Sequence, residues 1–379
     1  MGFFRIFRAG IAVSLSIGLI ALPVRALVSI DSGKNQLFIN STASVGYDSN
    51  LFANSAGGGD YVYSLNLDAN FTRHAGLIGL DANIGVNTSR FGKFSTENFK
   101  NPSLSAEFSK QTGRTTGVLA LSAARQSRAD SAANLRDESW FYDASLNLKY
   151  PVIERYSISA NLGYSLRDFA NNTTLFDLTS YNLGLDLFYV YSTDRDLLAG
   201  YHFREDRTSA STKTFDHSFT AGLSGRLLGG LHGTIRAGYE LRVPTGGTGD
   251  STYGAWTANA SAVWNLTRRL NATSQLSKDF STTSTNVSVD TTAAAWSTQY
   301  AFNSRTIFNI GTGWSYSRFL GLLGGDRHDT SWNWNMEVDR TLNSHLKASL
   351  SYVFSQNWST SSFADYSRRA ATLSLTSHF

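Results

Sequence analysis

The 379-residue chain has no cysteine and only 4 prolines. The first absence excludes a disulfide framework, a thiolate metal site and a lipid-modified N-terminal cysteine. Charge is also scarce: Asp, Glu, Lys and Arg make up 16% of the residues, against the roughly 25% usual in soluble domains. After the first 26 residues, no apolar run approaches the ~20 residues a membrane-spanning helix needs. What fills the chain instead is Gly (32), Tyr (17), Phe (24), Trp (8) and many small hydroxyl residues. That much aromatic side chain argues against disorder. The net charge is +4, but Met1–Ala26 holds Arg5, Arg8 and Arg25 and no acid, so the remainder carries +1. The basic isoelectric point therefore gives no reason to expect a nucleic-acid partner.

Met1–Arg8 is basic, Ala9–Leu22 is a short apolar stretch, and Pro23 precedes Val24-Arg25-Ala26. These are the three regions of a secretory signal peptide. The reading is a cleaved leader at 1–26, a periplasmic N-terminal segment at 27–36, and one domain from 37 to 379.

The domain has a single period, and it is two. Ile78, Leu80, Ala82, Ile84 and Val86 alternate with Gly79, Asp81, Asn83, Gly85 and Asn87. Trp332, Trp334, Met336 and Val338 alternate with Asn333, Asn335, Glu337 and Asp339. Alternation over ten or more residues means strands with one apolar and one polar face. Globular strands average about 5–6 residues, whereas these run roughly 11–16, the reach of a tilted strand crossing a bilayer. Eighteen segments are expected: 37–49, 60–72, 77–88, 99–110, 116–127, 138–150, 155–167, 177–192, 196–207, 215–227, 231–243, 253–266, 270–280, 287–302, 306–319, 329–340, 345–357 and 366–379. Short connections (Thr193–Arg195, Thr267–Arg269, Asn303–Arg305) alternate with longer ones (Asn50–Gly59, Ser89–Asn98, Arg128–Asp137, Leu320–Arg327). The fold class is thus all-β: a transmembrane, antiparallel up-and-down β-barrel of about 18 strands in the bacterial outer membrane, with both mature ends in the periplasm. Ala371, Leu373, Leu375 and the final Phe379 share a face. They resemble the terminal strand by which outer-membrane proteins engage their assembly machinery, although Ser377 departs from that pattern.

Gly46-Tyr47-Asp48-Ser49-Asn50-Leu51-Phe52 closes the first strand and enters the first long connection. The segment resembles the opening hairpin of a broad family of bacterial β-barrel porins, relatives of which accompany exopolysaccharide export. The resemblance implies a channel for small hydrophilic solutes or an export conduit for polysaccharide, set in outer-membrane lipid. A non-conducting, anchoring barrel filled by a partner protein is the alternative.

Chemistry was sought and is not expected. The seven histidines form no His-x-x-x-His pair, and there is no Gly-x-Ser-x-Gly elbow or phosphate loop, so neither catalysis nor a cofactor or metal is anticipated. Candidate function lies in the lumen's charges. Arg167, Arg204, Arg226, Arg236 and Arg242 form a basic arc, with Asp186, Asp206 and Glu240 among them. Asp48, Asp68, Asp81, Glu107, Asp143, Glu337 and Asp339 form an acidic arc, against Lys149, Lys347 and Arg368. Two readings stand: a transverse field across the lumen, or local pairing between neighbouring strands. Inward aromatics are few, chiefly Phe38, Phe141 and Phe188, which gives little support to a sugar track. All connections read as too short for an inward-folded constriction loop or plug.

Overall fold

The computed structural model of the chain describes residues 28–30, 34–74, 76–130, 133, 135–169, 174–246, 251–321 and 326–379; the leader expected at 1–26 lies outside them. A short strand, β1 (Val28–Ile30), precedes eighteen long ones. They are β2 (Asn35–Asp48), β3 (Asp60–Arg73), β4 (Gly79–Phe91), β5 (Phe99–Lys110), β6 (Thr116–Asp130) and β7 (Leu135–Ile153). Then come β8 (Tyr156–Asp168), β9 (Leu178–Ser192), β10 (Arg195–Thr208), β11 (Lys213–Leu228), β12 (Leu231–Thr245) and β13 (Tyr253–Thr267). The last six are β14 (Leu270–Thr282), β15 (Ser288–Asn303), β16 (Thr306–Leu320), β17 (Arg327–Thr341), β18 (Leu346–Ser359) and β19 (Tyr366–His378).

Each long strand pairs antiparallel with its chain neighbours, and β19 pairs with β2 from Ala370↔Asp48 to His378↔Asn40. The result is a closed 18-strand up-and-down barrel. Both described termini lie at one end, here the turn end, where the connections are short. The opposite end, the loop end, carries the longer ones.

Alternation decides what each face meets. Val45, Leu65, Leu67, Ile84, Leu104, Leu185, Leu187, Ile235, Leu276, Ile310 and Leu350 stand exposed outside the barrel. In water such a continuous apolar surface is untenable; in lipid it is the required exterior. Cross-strand aromatic pairs border this belt. Tyr47–Tyr61, Tyr164–Tyr181 and Tyr239–Trp256 lie toward the loop end, with ring centroids 5.2, 5.4 and 5.9 Å apart. Tyr156–Tyr189 and Phe302–Phe308 lie toward the turn end, at 5.0 and 6.1 Å.

Boundaries differ from expectation at both ends of the barrel. Strands continue above the belt where polar residues still pair. Arg128↔Asp137 and Ser127↔Glu138 extend the β6–β7 ladder through most of the segment expected as a loop, and β4 runs on to Phe91. At the turn end, β2 starts inside the expected periplasmic segment, and Val28–Ile30 pairs with Asn35–Leu37. The reason is the edge left by the C-terminus. Phe379 and Ile39 exchange backbone hydrogen bonds of 2.8 and 2.9 Å, and beyond them β2 would have an open side without β1.

Candidate functional site

The wall has an irregular seam between β13 and β14. From Asn265↔Asn271 to Ala258↔Lys278 the two strands pair continuously, and then the ladder stops. β13 nevertheless continues up to Tyr253 on the β12 side, and β14 up to Thr282 on the β15 side. Above the break, β14 tucks inside the barrel and crosses the inner faces of β12, β11 and β10. Its grip is a buried charge cluster. Arg242 is fully buried and donates to Asp216 at 2.7 and 2.9 Å, to Asp206 at 3.2 Å and to the Ser281 carbonyl at 2.5 Å. Arg204 donates to Asp216 at 2.8 Å, to Asp279 at 2.9 Å and to the Phe280 carbonyl at 2.6 Å, and lies 3.5 Å from Glu240. Thr282 and Ser180 both donate to Asp206, at 2.9 and 2.7 Å.

The turn 283–287 then reaches further. Thr208 donates to Asn286 at 3.0 Å, and the Ser284 carbonyl accepts from the Phe176 amide at 2.8 Å. Ser284 Oγ donates to Asp130 at 2.8 Å. β6 stands eight places from β14 in the ring of eighteen, so the tip of this hairpin meets the opposite wall. Buried guanidiniums suit the task, because a planar fork can satisfy two carboxylates and a backbone carbonyl together. The expectation that nothing folds inward is therefore corrected. The connection is indeed short, but the strand itself leaves the wall.

The five arginines of the basic arc each stand beside an acid. Arg236 donates to Asp186 at 3.1 Å, with His202 at 3.1 Å from it and 3.2 Å from Asp186. Gly200 and Gly184 make room for that group, since a Cβ at Gly200 would collide with the Asp186 carboxylate and one at Gly184 with the His202 ring. Arg167 is buried against Asp137 at 3.6 Å and Ser139 at 3.1 Å. Arg226 is not on the mid-wall at all; it sits by the β11–β12 turn, 3.7 Å from Asp194. Arg242 and Arg167 do not present charge to an open lumen. Their geometry is that of local pairing.

The acidic arc divides. Asp48 is buried, accepts from the Asn50 amide at 3.0 Å, and is bridged to Arg368 at 2.5 Å, which ties the first strand to the last. The remainder of the Tyr47–Phe52 segment shapes the loop: Asn50 donates to the Asn54 carbonyl at 2.8 Å, and Ala53 takes a positive φ of 50°. Asp339 is paired with Lys347 at 3.2 Å, two residues along β17 from Glu337. Asp81 and Glu107 are different. They are direct neighbours across β4 and β5, and with Asp143, Asn70, Asn83, Ser105 and Ser122 they line a concavity of about 240 Å³ on the inner wall. The His74 ring lies 3.9 Å from Asp81. Among the described residues, no Lys or Arg comes within ion-pair distance of Asp68, Asp81 or Glu107. Inward aromatics form no track: Phe38 stacks on His378 at 5.2 Å and Phe188 lies under Lys149 at 4.9 Å. At the C-terminus, Leu373, Leu375 and Phe379 are exposed on the outer face, and Phe379 stacks on His345 at 5.3 Å.

An apolar exterior, a polar interior and a closed ring of eighteen strands define a transmembrane antiparallel β-barrel, the form in which strands span bacterial outer membranes. No family model and no curated protein matches the sequence. The chain aligns with several solved structures over most of its length. OccK2 (OpdF) of Pseudomonas aeruginosa, in complex with glucuronate, aligns over 91% of this chain and 98% of its own at 11% identity, with a TM-score of 0.48. OpdK of the same organism, with vanillate, aligns over 90% and 99% at 11% identity and 0.49. The FrpB iron transporter of Neisseria meningitidis aligns over 85% of this chain and 61% of its own, at 10% identity and 0.49.

Proposed function

We propose that this chain, exported by its leader and inserted in the bacterial outer membrane, is a passive channel for small hydrophilic solutes that favours cations over anions. The observation that carries the reading is the asymmetry of the lumen's charges. Each arginine of the basic arc has an acidic neighbour, whereas among the described residues Asp68, Asp81 and Glu107 have no Lys or Arg beside them. A low-dielectric wall focuses the field of uncompensated charges into the water between, and rings of acidic side chains select cations in this way. Turn-end solutes would meet the acidic wall first and the tucked β14 segment last.

Polysaccharide export, implied by the resemblance of the Gly46–Phe52 segment, has less support, because Asp48 and Asn50 serve the loop and the closure of the ring. An extended polymer would also have to pass the hairpin that crosses the loop end. The test is the reversal potential of the purified barrel in a planar bilayer under a salt gradient. Cation selectivity that grows as salt falls supports the proposal; anion selectivity opposes it.

A further inference from the structure

The truncated ladder has a counterpart. Continuing the register of Ala258↔Lys278 would set Thr257 opposite Asp279, Trp256 opposite Phe280, Ala255 opposite Ser281 and Gly254 opposite Thr282. The faces also match. Trp256 points outward, is 72% exposed and already packs edge-on against Tyr239. Phe280 has the same outward parity on β14, yet it is 2% exposed, tucked beneath the Arg242 guanidinium at 5.5 Å. Zipping the strands would put Phe280 beside Trp256 in the aromatic border, forming the kind of cross-strand pair seen at Tyr47–Tyr61 and Tyr164–Tyr181. Meanwhile, among the described residues, no strand pairs with residues 253–257 of β13 on their β14 side, where Thr257 Oγ1 donates to the Lys278 carbonyl at 2.8 Å. Backbone donors and acceptors at the edge of a lipid belt strongly favour a partner.

We infer that the β13–β14 seam is a gate with two arrangements: the tucked one, which narrows the loop end, and a zipped one, in which residues 279–282 of β14 complete the wall beside β13 and clear the lumen. This rests on the channel reading. The charge cluster permits the exchange. When β14 leaves, Arg242 keeps Asp216 and Asp206, and Arg204 keeps Asp216, so neither guanidinium is left bare. Asp279, held by Arg204 on the Glu240 side of the cluster, gives up that ion pair. Among the described residues, the tip's attachments include hydrogen bonds at Thr208, Thr212, Phe176 and Asp130. Two discrete packings of one element, exchanging comparable sets of contacts, are what a gate requires.

The chain contains no cysteine, so paired cysteines can trap each arrangement without background. Ala255→Cys with Ser281→Cys bridges only the zipped seam. Thr208→Cys with Asn286→Cys, whose native side chains touch, bridges only the tucked one. Retarded migration of unboiled samples on gels establishes that each variant is folded. Under mild oxidant both pairs should cross-link, and in planar bilayers the zipped lock should conduct several-fold more than the tucked lock, with reductant erasing the difference. Folded A255C/S281C barrels that refuse to cross-link, while T208C/N286C barrels do, would overturn the gate and leave the channel reading intact. Equal currents from both locks would also overturn it. Cross-links in both with no current from either would instead remove the channel reading, while the exchange itself stood on the gel.

Discussion

Ser284, in the turn between β14 and β15, donates a 2.8 Å hydrogen bond to Asp130 at the loop end of β6. The two strands stand on opposite sides of the ring, so this bond fixes a hairpin that spans the lumen. Both groups are nearly inaccessible, at 1% and 2% exposure. The contact follows from the inward turn of β14, and that turn is held in the first place by Arg242 and Arg204.

Arg242 should therefore be the most costly residue of the cluster to remove. Arg242→Met removes the guanidinium that joins buried Asp216 to Asp206, and breaking one side of a buried pair costs about 3–5 kcal/mol. Urea unfolding in lipid vesicles measures it. Adding Asp216→Asn to the same chain should recover part of the loss, because the two residues are directly coupled. Full additivity of the two losses would mean that the pair does not hold the cluster.

On the lipid face, Leu185 is 44% exposed beside Leu183 and Leu187 in β9. Leu185→Arg should cost about 2–4 kcal/mol, as such changes do near the bilayer midplane. The neighbouring Asp186 points the other way and is bonded to Arg236 and His202. Asp186→Asn should lose about 1.5–3 kcal/mol from its charged hydrogen bonds, with no dependence on lipid thickness. If thinning the bilayer leaves the Leu185→Arg penalty unchanged, that side chain does not face lipid.

How far the sequence could carry these assignments depends on which rule sets each feature. The strand-by-strand order and the face of Leu185 or Trp334 follow from a period of two, which any one-sided strand must show. The limits of β5, Phe99–Lys110, fall where the alternation stops. The tucked segment is not legible in the sequence, because the 283–287 turn is short and the strand itself bends inward. Its marks were present but ambiguous. Asp279 follows the outward Lys278 just where a strand should still be crossing the belt, and Arg204, Arg242, Asp206, Asp216 and Glu240 put more charge on neighbouring inner faces than a water-filled wall requires. Pairing partners on strands so far apart, such as Arg204 with Asp279, are set by tertiary bending that no local pattern encodes.

At the junction of first and last strands, Asp48 binds Arg368 and the Asn50 amide. Asp48→Ala should cost about 1.5–3 kcal/mol and loosen the loop end of the β2–β19 ladder. Amide exchange at Ala370–Thr372 should then accelerate, with β8 and β9 unaffected. Uniform acceleration round the ring would show that Asp48 contributes only to global stability.

Asp81→Asn combined with Glu107→Gln removes two charges from the acidic concavity without changing its shape. The reversal potential should move toward zero, most clearly at low salt, where the Debye length reaches about 30 Å at 0.01 M. Neutralising Asp339, which Lys347 already compensates at 3.2 Å, should shift it less. Equal shifts would assign selectivity to total charge and not to the uncompensated wall.

The central claim, that the barrel conducts and that its own β14–β15 hairpin narrows it, is tested most directly by single-channel recording. The unmodified protein is compared with one lacking the paired residues Phe280–Thr282 and Ser288–Asp290, a deletion that shortens both strands of the hairpin together. The account predicts discrete current steps from the unmodified barrel and several-fold larger steps from the shortened one. Silent bilayers from both folded proteins, or steps of equal size, would contradict it.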